Sequence, residues 1–334
     1  MPRVIDSTVR PFGHHAYQPV IGFVNPHPGL GFDGHRTMGL VANVHWIYGG
    51  FRSLDGEKYY SFVRHYNNHG ALGFTIFEAD TDANGNDSDF SFEKTSKNAF
   101  LGAALADQRD GMWGVRDIFE GTPRFEVRAS TTQVHWFERD LVDIRAEPYG
   151  SVIQSCVPDD QWPLVYNHRV VRARGVFLDR DVEGYMQMDY ACLPDGKDWY
   201  SAPYLTELQG VWPYFTTEYT DGSFDHGMFI CGKERFMGFC VESSSREPIV
   251  VLDPEFEMEF DEDEYPTRLS IDTGNGEIWD WIRPPGNKAR IPSTTIENSP
   301  RWTQGRFSRR GETRELKSAD AWLESFKHRI DQIR

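Results

Sequence analysis

Acidic or amide side chains followed by glycine punctuate this chain at close intervals. The pairs are Asp55-Gly56, Asn84-Gly85, Asp110-Gly111, Glu120-Gly121, Asp195-Gly196, Asp221-Gly222 and Asn275-Gly276. Such pairs supply the positive φ that a tight reversal needs. Between them lie short β-branched and aromatic runs: Lys58–Tyr66, Ala71–Phe77, Arg124–Arg128, Gln133–Phe137, Gly175–Asp179, Gly184–Tyr190, Gly227–Cys231 and Phe236–Glu242. Many short strands joined by turns predict a mainly β chain of barrels or sandwiches, not an alternating α/β fold. With 10 Trp, 14 Tyr and 23 Phe, the aromatic content points the same way, to strands and apolar pockets.

Glu255–Phe260, EFEMEF, alternates strictly. It predicts a strand with Phe256, Met258 and Phe260 on a buried face and three glutamates on a wet one. In Ser318–Ile333 the residues Ala319, Trp322, Leu323, Phe326, Ile330 and Ile333 recur at spacings of three and four. That stripe predicts an amphipathic helix with Ser318 as its N-cap, bracing a barrel. A chain of 334 residues suits two units better than one. The Pro-, Gly- and aromatic-rich stretch Pro194–Pro213 predicts their connection, giving domains 1–195 and 196–334. Short echoes between the halves, such as Val-His-Trp at His45-Trp46 and again at His135-Trp136, fit a duplication.

A net charge of −16 leaves no basic face for nucleic acid and would repel an anionic membrane. The run Arg306–Arg310 reads as solvated surface. No apolar stretch approaches the ~20 residues of a membrane span, and no signal peptide is evident, so a cytoplasmic protein is expected. Cys156, Cys192, Cys231 and Cys240 form no CxxC pair and read as reduced thiols. GxGxxG, Walker, GxSxG and HExxH signatures are absent. In Asp80–Asp89, Asp80, Asp82 and Asn84 with Gly85 match the start of a calcium loop, but Ser91 stands where the closing Glu belongs. A turn, not a calcium site, is expected, and His14-His15 reads as surface. The oligomeric state is not legible.

The densest chemistry lies in Gln108–Asp117, QRDGMWGVRD. Two Arg, two Asp and a Trp around two glycines would serve either a polar cluster in an apolar cavity or a structural Arg–Asp network at a barrel end. The segment resembles the Asp-His-x-Trp-Gly motif, often followed by Arg, of the tandem-lipocalin superfamily that includes carotenoid 1,2-hydratases and kievitone hydratase. Asp110, Trp113, Gly114 and Arg116 match, and Gly111 replaces the His. Asp225-His226 supplies an Asp-His pair in the other half. The resemblance implies two lipocalin-like antiparallel β-barrel domains around a hydrophobic site, no metal or organic cofactor, and activities that add water to or remove it from isoprenoid double bonds.

Hydration chemistry suits these residue types. A carboxylic acid kept protonated by burial donates to an alkene, aromatic faces steady the cation, and a base handles water. Asp110 or Asp225 is the expected acid, His226 the base and Trp113 a cation-stabilising wall. Arg116 would fix geometry by pairing with Asp110 or Asp117. Tyr219 and Glu218 would extend the cluster, and His45, Trp46 and His135 would line the cavity. The expected function is a cofactor-independent hydratase, dehydratase, isomerase or cyclase acting on an apolar isoprenoid or polycyclic molecule. The alternative is a lipocalin-type carrier that performs no reaction.

Overall fold

The computed structural model describes residues 3–5, 19–32, 36–91, 99–234, 236–289 and 300–333. His14 and His15 lie outside these. Strands dominate, in two antiparallel sheets. All seven turn-signal glycines carry φ between 76° and 90°, and Asp110 joins Gly111 in the left-handed region with φ 51°.

The first sheet has thirteen strands, all between Val20 and Leu193. Ten close into a barrel. Neighbours run from Val142–Pro148 back through Val134–Glu138, Phe125–Ala129, Met112–Asp117, Gly102–Arg109, Gly70–Asp80 and Lys58–Asn67 to Leu40–Ser53. Arg180–Leu193 and Leu164–Phe177 follow, and the latter returns to Val142–Pro148. Val152–Val157 and Val20–Val24 extend outward from the free stretch of Leu164–Phe177. The second sheet runs from Glu255–Phe260 through Leu316–Ser325 and Gln209–Tyr219 to Arg246–Val251, with Arg3–Ile5 added at its first edge. It remains an open half-barrel. Between Leu193 and Gln209 the chain makes two short helical turns, Trp199–Ser201 and Tyr204–Leu208, and passes from one sheet to the other.

The apolar side chains sort into three clusters. Ile47, Phe51, Phe62, Trp136 and Phe177 fill the barrel. Phe215, Phe239, Trp279, Trp281 and Phe307 fill the half-barrel. The third holds Trp46, Tyr48, Tyr59, Phe77 and Tyr166 from the first sheet with Tyr214, Met228, Ile230 and Trp322 from the second. It is the seam where the sheets pack back to back. Strand alternation explains the sorting: Ile47 points into the barrel and its neighbours Trp46 and Tyr48 into the seam.

The C-terminal stripe folds differently from expectation. Leu316–Ser325 is a strand, and only Lys327–Ile330 is helical. Ala321 and Leu323 face the half-barrel core; Asp320, Trp322 and Glu324 face the seam. Both faces are covered, so Trp322 and Leu323 are apolar side by side and the period-two signal disappears. Phe326, Ile330 and Ile333 are buried as the stripe implied. Glu255–Phe260 is a strand with Phe256 and Met258 buried and Glu255 and Glu259 exposed. In the Asp80–Asp89 loop Asp82 Oδ1 caps the Asn84 and Asn86 amides, and Asp87 pairs with Arg52 at 2.9 Å. Among the described residues no helix is long and apolar enough to cross a membrane, and no cluster of three metal-ligating side chains occurs.

Candidate active site at the seam between the sheets

Three strands of the first sheet carry polar side chains onto its seam face. Tyr48 comes from Leu40–Ser53, Tyr166 and His168 from Leu164–Phe177, and Asp189 from Arg180–Leu193, where it stands directly opposite His168. All four are buried. Asp189 Oδ2 accepts short hydrogen bonds from the hydroxyls of Tyr48 and Tyr166. Asp189 Oδ1 lies 2.9 Å from His168 Nδ1, and Tyr48 Oη lies 3.0 Å from the same nitrogen. Tyr48 spends its own hydrogen on Asp189, so both neighbours present acceptors and Nδ1 carries the imidazole proton. The hydroxyls of Tyr48 and Tyr166 are held well above their usual range, first by burial and then by the Asp189 charge.

The second sheet answers with carboxyls. Asp320 is buried and accepts from Tyr59 Oη at 2.7 Å and from Gln304 Nε2. Burial pushes it up to about 6, against these bonds. Glu324, two residues on, is only partly exposed, and desolvation pushes its carboxyl to about 7. It accepts from Trp322 Nε1 at 3.3 Å and Gln209 Nε2 at 3.4 Å, which oppose the rise, and the Asp189 charge contributes to it. Around it stand indoles and phenols. Trp212 meets Tyr166 edge-on at 5.0 Å, Trp46 meets Trp199 at 5.2 Å, and Trp302 lies 5.8 Å from Trp322. A neutral carboxyl is thus available beside an ionisable Asp–His–Tyr group within an aromatic wall. That is the furniture of acid–base chemistry on an apolar molecule.

The residues singled out from the sequence fall in five places. Trp46 is in the seam wall, 6.2 Å from His65 as well as beside Trp199. His226 is also on the seam, fully buried; its Nε2 lies 2.6 Å from Glu242 Oε2, and its Nδ1 has no partner. Burial lowers its basicity, and Glu242 opposes that. Glu242 itself is drawn down to about 2, first by His226, against its own burial, and then by Ser151.

Asp225 points away from His226, as alternation requires. It is buried, accepts from Tyr219 Oη at 2.8 Å and pairs with Arg314 at 2.8 Å, while the guanidinium lies 3.7 Å above the Tyr219 ring. Asp225 and Tyr219 form a structural knot with Arg314, not an open acid. Glu218, on the seam side of the same strand, bonds Tyr185 and Lys317.

Asp110 does not reach an interior. It occupies the exposed tip of the hairpin between Gly102–Arg109 and Met112–Asp117, because the left-handed turn that its sequence favours turns it to solvent. Arg116 approaches Asp107 at 3.6 Å rather than Asp110 or Asp117. Asp117 is fully buried and caps the Phe119, Arg124 and Phe125 amides. The structural-network reading of this motif therefore describes it better. Trp113 packs on Gly29 and edge-on to His27, 6.2 Å away, under the Pro28–Gly31 turn.

His45 faces the barrel interior, away from the seam. Its ring stacks between Phe32 at 5.4 Å and Tyr66 at 4.9 Å, and burial lowers it to about 4. It lines a cavity of about 40 Å³ at the barrel mouth with Arg169 and Tyr190, too small for an apolar substrate. His135 bonds Asp143 at 2.9 Å on the barrel's outer surface. Tyr48, Tyr166, His168, Asp189, Asp320 and Glu324 were not anticipated.

No family model and no curated protein matches the sequence. Solved structures do resemble it. An AttH candidate from Nitrosomonas europaea is 12% identical with a TM-score of 0.45, over 85% of this chain and 92% of that one. Kievitone hydratase from Nectria haematococca is 8% identical with a TM-score of 0.41, over 96% and 97%. CghA is 10% identical with a TM-score of 0.46, over 97% and 98%.

Proposed function

We propose that the protein is a cofactor-independent lyase or isomerase that moves protons on an apolar small molecule held at the seam. Glu324 is the acid and Asp189, with His168 and the two tyrosines around it, the base. The observation that carries this reading is the Glu324 carboxyl, pushed to about 7 beside Asp189 and walled by Trp212, Trp302 and Tyr166. An acid with a pKa near neutrality is both protonated often enough and strong enough to donate. Protonation of a double bond leaves a cation that ring faces stabilise. Loss of a neighbouring proton to Asp189 then moves the double bond. Capture of water, with its proton passing to Asp189, hydrates it.

The test is deuterium uptake. The protein is incubated in heavy water with a panel of apolar alkenes and enones, and carbon-bound deuterium is read by mass spectrometry. Incorporation that Glu324→Gln abolishes supports the reading. Ligands that bind without exchanging deuterium sink it in favour of the carrier.

A further inference from the structure

Met112–Asp117 runs from the Pro28–Gly31 turn, where Trp113 packs on Gly29, to the opposite end of the barrel. There Asp117 anchors the loop that leads to Phe125–Ala129, and a groove of about 450 Å³ opens to solvent. That volume is in the range of small-molecule sites. Leu101, Ile118 and Phe119 line it and are 56%, 53% and 47% exposed. Phe100 lines it too, its ring edge-on to Phe119 at 6.1 Å and stacked at 6.4 Å on the buried Phe125. Exposed apolar side chains scattered singly need no explanation, but gathered around one groove they mark a surface that meets a ligand.

The groove is held open from both sides. Asp117 accepts from the Phe119 amide at 3.0 Å and from the Arg124 and Phe125 amides, which fixes the loop carrying Ile118 and Phe119. Under the other wall, buried Arg64 donates to the Phe100 carbonyl at 2.7 Å while pairing with Glu138 at 2.6 Å. Both anchors are buried charges bonded to backbone, so closing the walls on each other would break charge-assisted hydrogen bonds.

The charge of the groove is the reverse of the molecule's. The chain carries −16, yet Arg124 and Arg139 line the groove, with Asp140 the one acid among its described residues. Arg124 lies over the Phe119 ring, 4.8 Å from its centroid, and Arg139 spends one N–H on the Thr122 carbonyl at 2.5 Å. Among the described residues neither forms an ion pair. A guanidinium has five N–H donors in a fork that matches a carboxylate. An apolar wall beside two uncommitted guanidiniums complements a molecule with an apolar tail and an anionic head. A hydrocarbon would leave the arginines unused, and they would repel a cation.

We propose that this end of the barrel binds an amphipathic carboxylate, its chain on Leu101, Ile118 and Phe119 and its head between Arg124 and Arg139. No residue of the seam takes part, so the site stands whether or not the seam transfers protons.

The experiment is titration of the isotope-labelled whole chain with octanoate, octan-1-ol and octylammonium, followed through backbone amide NMR shifts. The shifts are expected at Leu101, Gly102, Phe119 and Asp140. Octanoate should bind at least about fivefold more tightly than octan-1-ol, and octylammonium more weakly than either. Replacing both arginines, Arg124→Gln with Arg139→Gln, should bring octanoate level with octan-1-ol. Leu101→Ser with Phe119→Ser should weaken the two alike, because it removes the wall they share. Equal affinity for octanoate and octan-1-ol in the wild type, shifts centred on the seam, or no saturable shift overturns the inference. Shifts that require vesicles of anionic lipid, with none from monomeric octanoate, also overturn it and assign the face to a membrane. If the arginine double variant does not fold, a salt series on the wild type decides. The preference for octanoate should then shrink between about 0.02 M and about 0.5 M salt, and a preference indifferent to salt overturns the inference.

Discussion

Tyr59 donates a 2.7 Å hydrogen bond to Asp320, joining two residues 261 positions apart that belong to different sheets. The bond crosses the seam only because position 50 is glycine. A Cβ there would collide with the Tyr59 hydroxyl and lie 2.5 Å from Asp320 Oδ1. Gly50→Ala is therefore expected to cost about 1–3 kcal/mol by overpacking. Gly22, whose added Cβ would meet nothing within 4 Å, is the control. Gly22→Ala should stay within about 0.5 kcal/mol of wild type. Chemical denaturation of both variants checks the pair.

Glu324→Gln removes the proposed acid while keeping the shape. Deuterium transfer to a turned-over substrate should fall on the order of 10²–10⁴-fold with the melting temperature preserved or raised. Asp110→Asn, at the exposed hairpin tip, should change neither activity nor stability beyond about 0.5 kcal/mol. A large loss of rate in the second variant would return the acid to the motif where the sequence pointed.

Stability should depend on pH in a stated direction. Glu324 and Asp320 are raised to about 7 and about 6, so folding binds their protons more tightly. Their contribution is full below the unfolded values near 4 and is lost as pH rises through 6 and 7. His45 and His65, lowered to about 4, act oppositely, and because an unfolded His is still half protonated near pH 6.5 they offset that loss up to about pH 7.5. The melting temperature of Glu324→Gln should therefore rise relative to that of wild type as pH goes from about 5 to about 8, a difference in which the histidines cancel and which differential scanning calorimetry would show.

Arg314→Ala leaves the buried Asp225 without its cation, an arrangement that typically costs about 3–5 kcal/mol. Removing both charges with Arg314→Met and Asp225→Asn should restore much of the loss. A thermal unfolding series of the two single variants and the double variant measures the difference.

What the sequence made legible was local. Each Asx-Gly turn was readable because its φ is decided within two residues. Glu255–Phe260 was readable because one of its faces is wet. His226 was found through its neighbour Asp225, although the strand's alternation sends the two side chains to opposite faces. Asp320 and Glu324 stayed hidden for a different reason. Leu316–Ser325 is covered on both faces, so its apolar residues imitate a helical stripe, and Asp320 and Glu324 fall where a helix would present them to solvent. His168 and Asp189 carry no signal alone; they meet only because their strands pair in that register. The Gln108–Asp117 motif was conspicuous because its charges are crowded, yet crowding there serves to tie a hairpin and its loop together.

Asp189 and Glu324 ride on separate sheets, so no single strand fixes the gap between them. That gap is inherited from how the two bodies rest on each other, at places as remote as Ile21, whose side chain presses on Gly238. Substitutions at such bearing points, touching neither carboxyl, would widen or narrow that gap. Under the proposed proton transfer, drift in the packing around the seam would retune the reaction while the two carboxyls stayed the same.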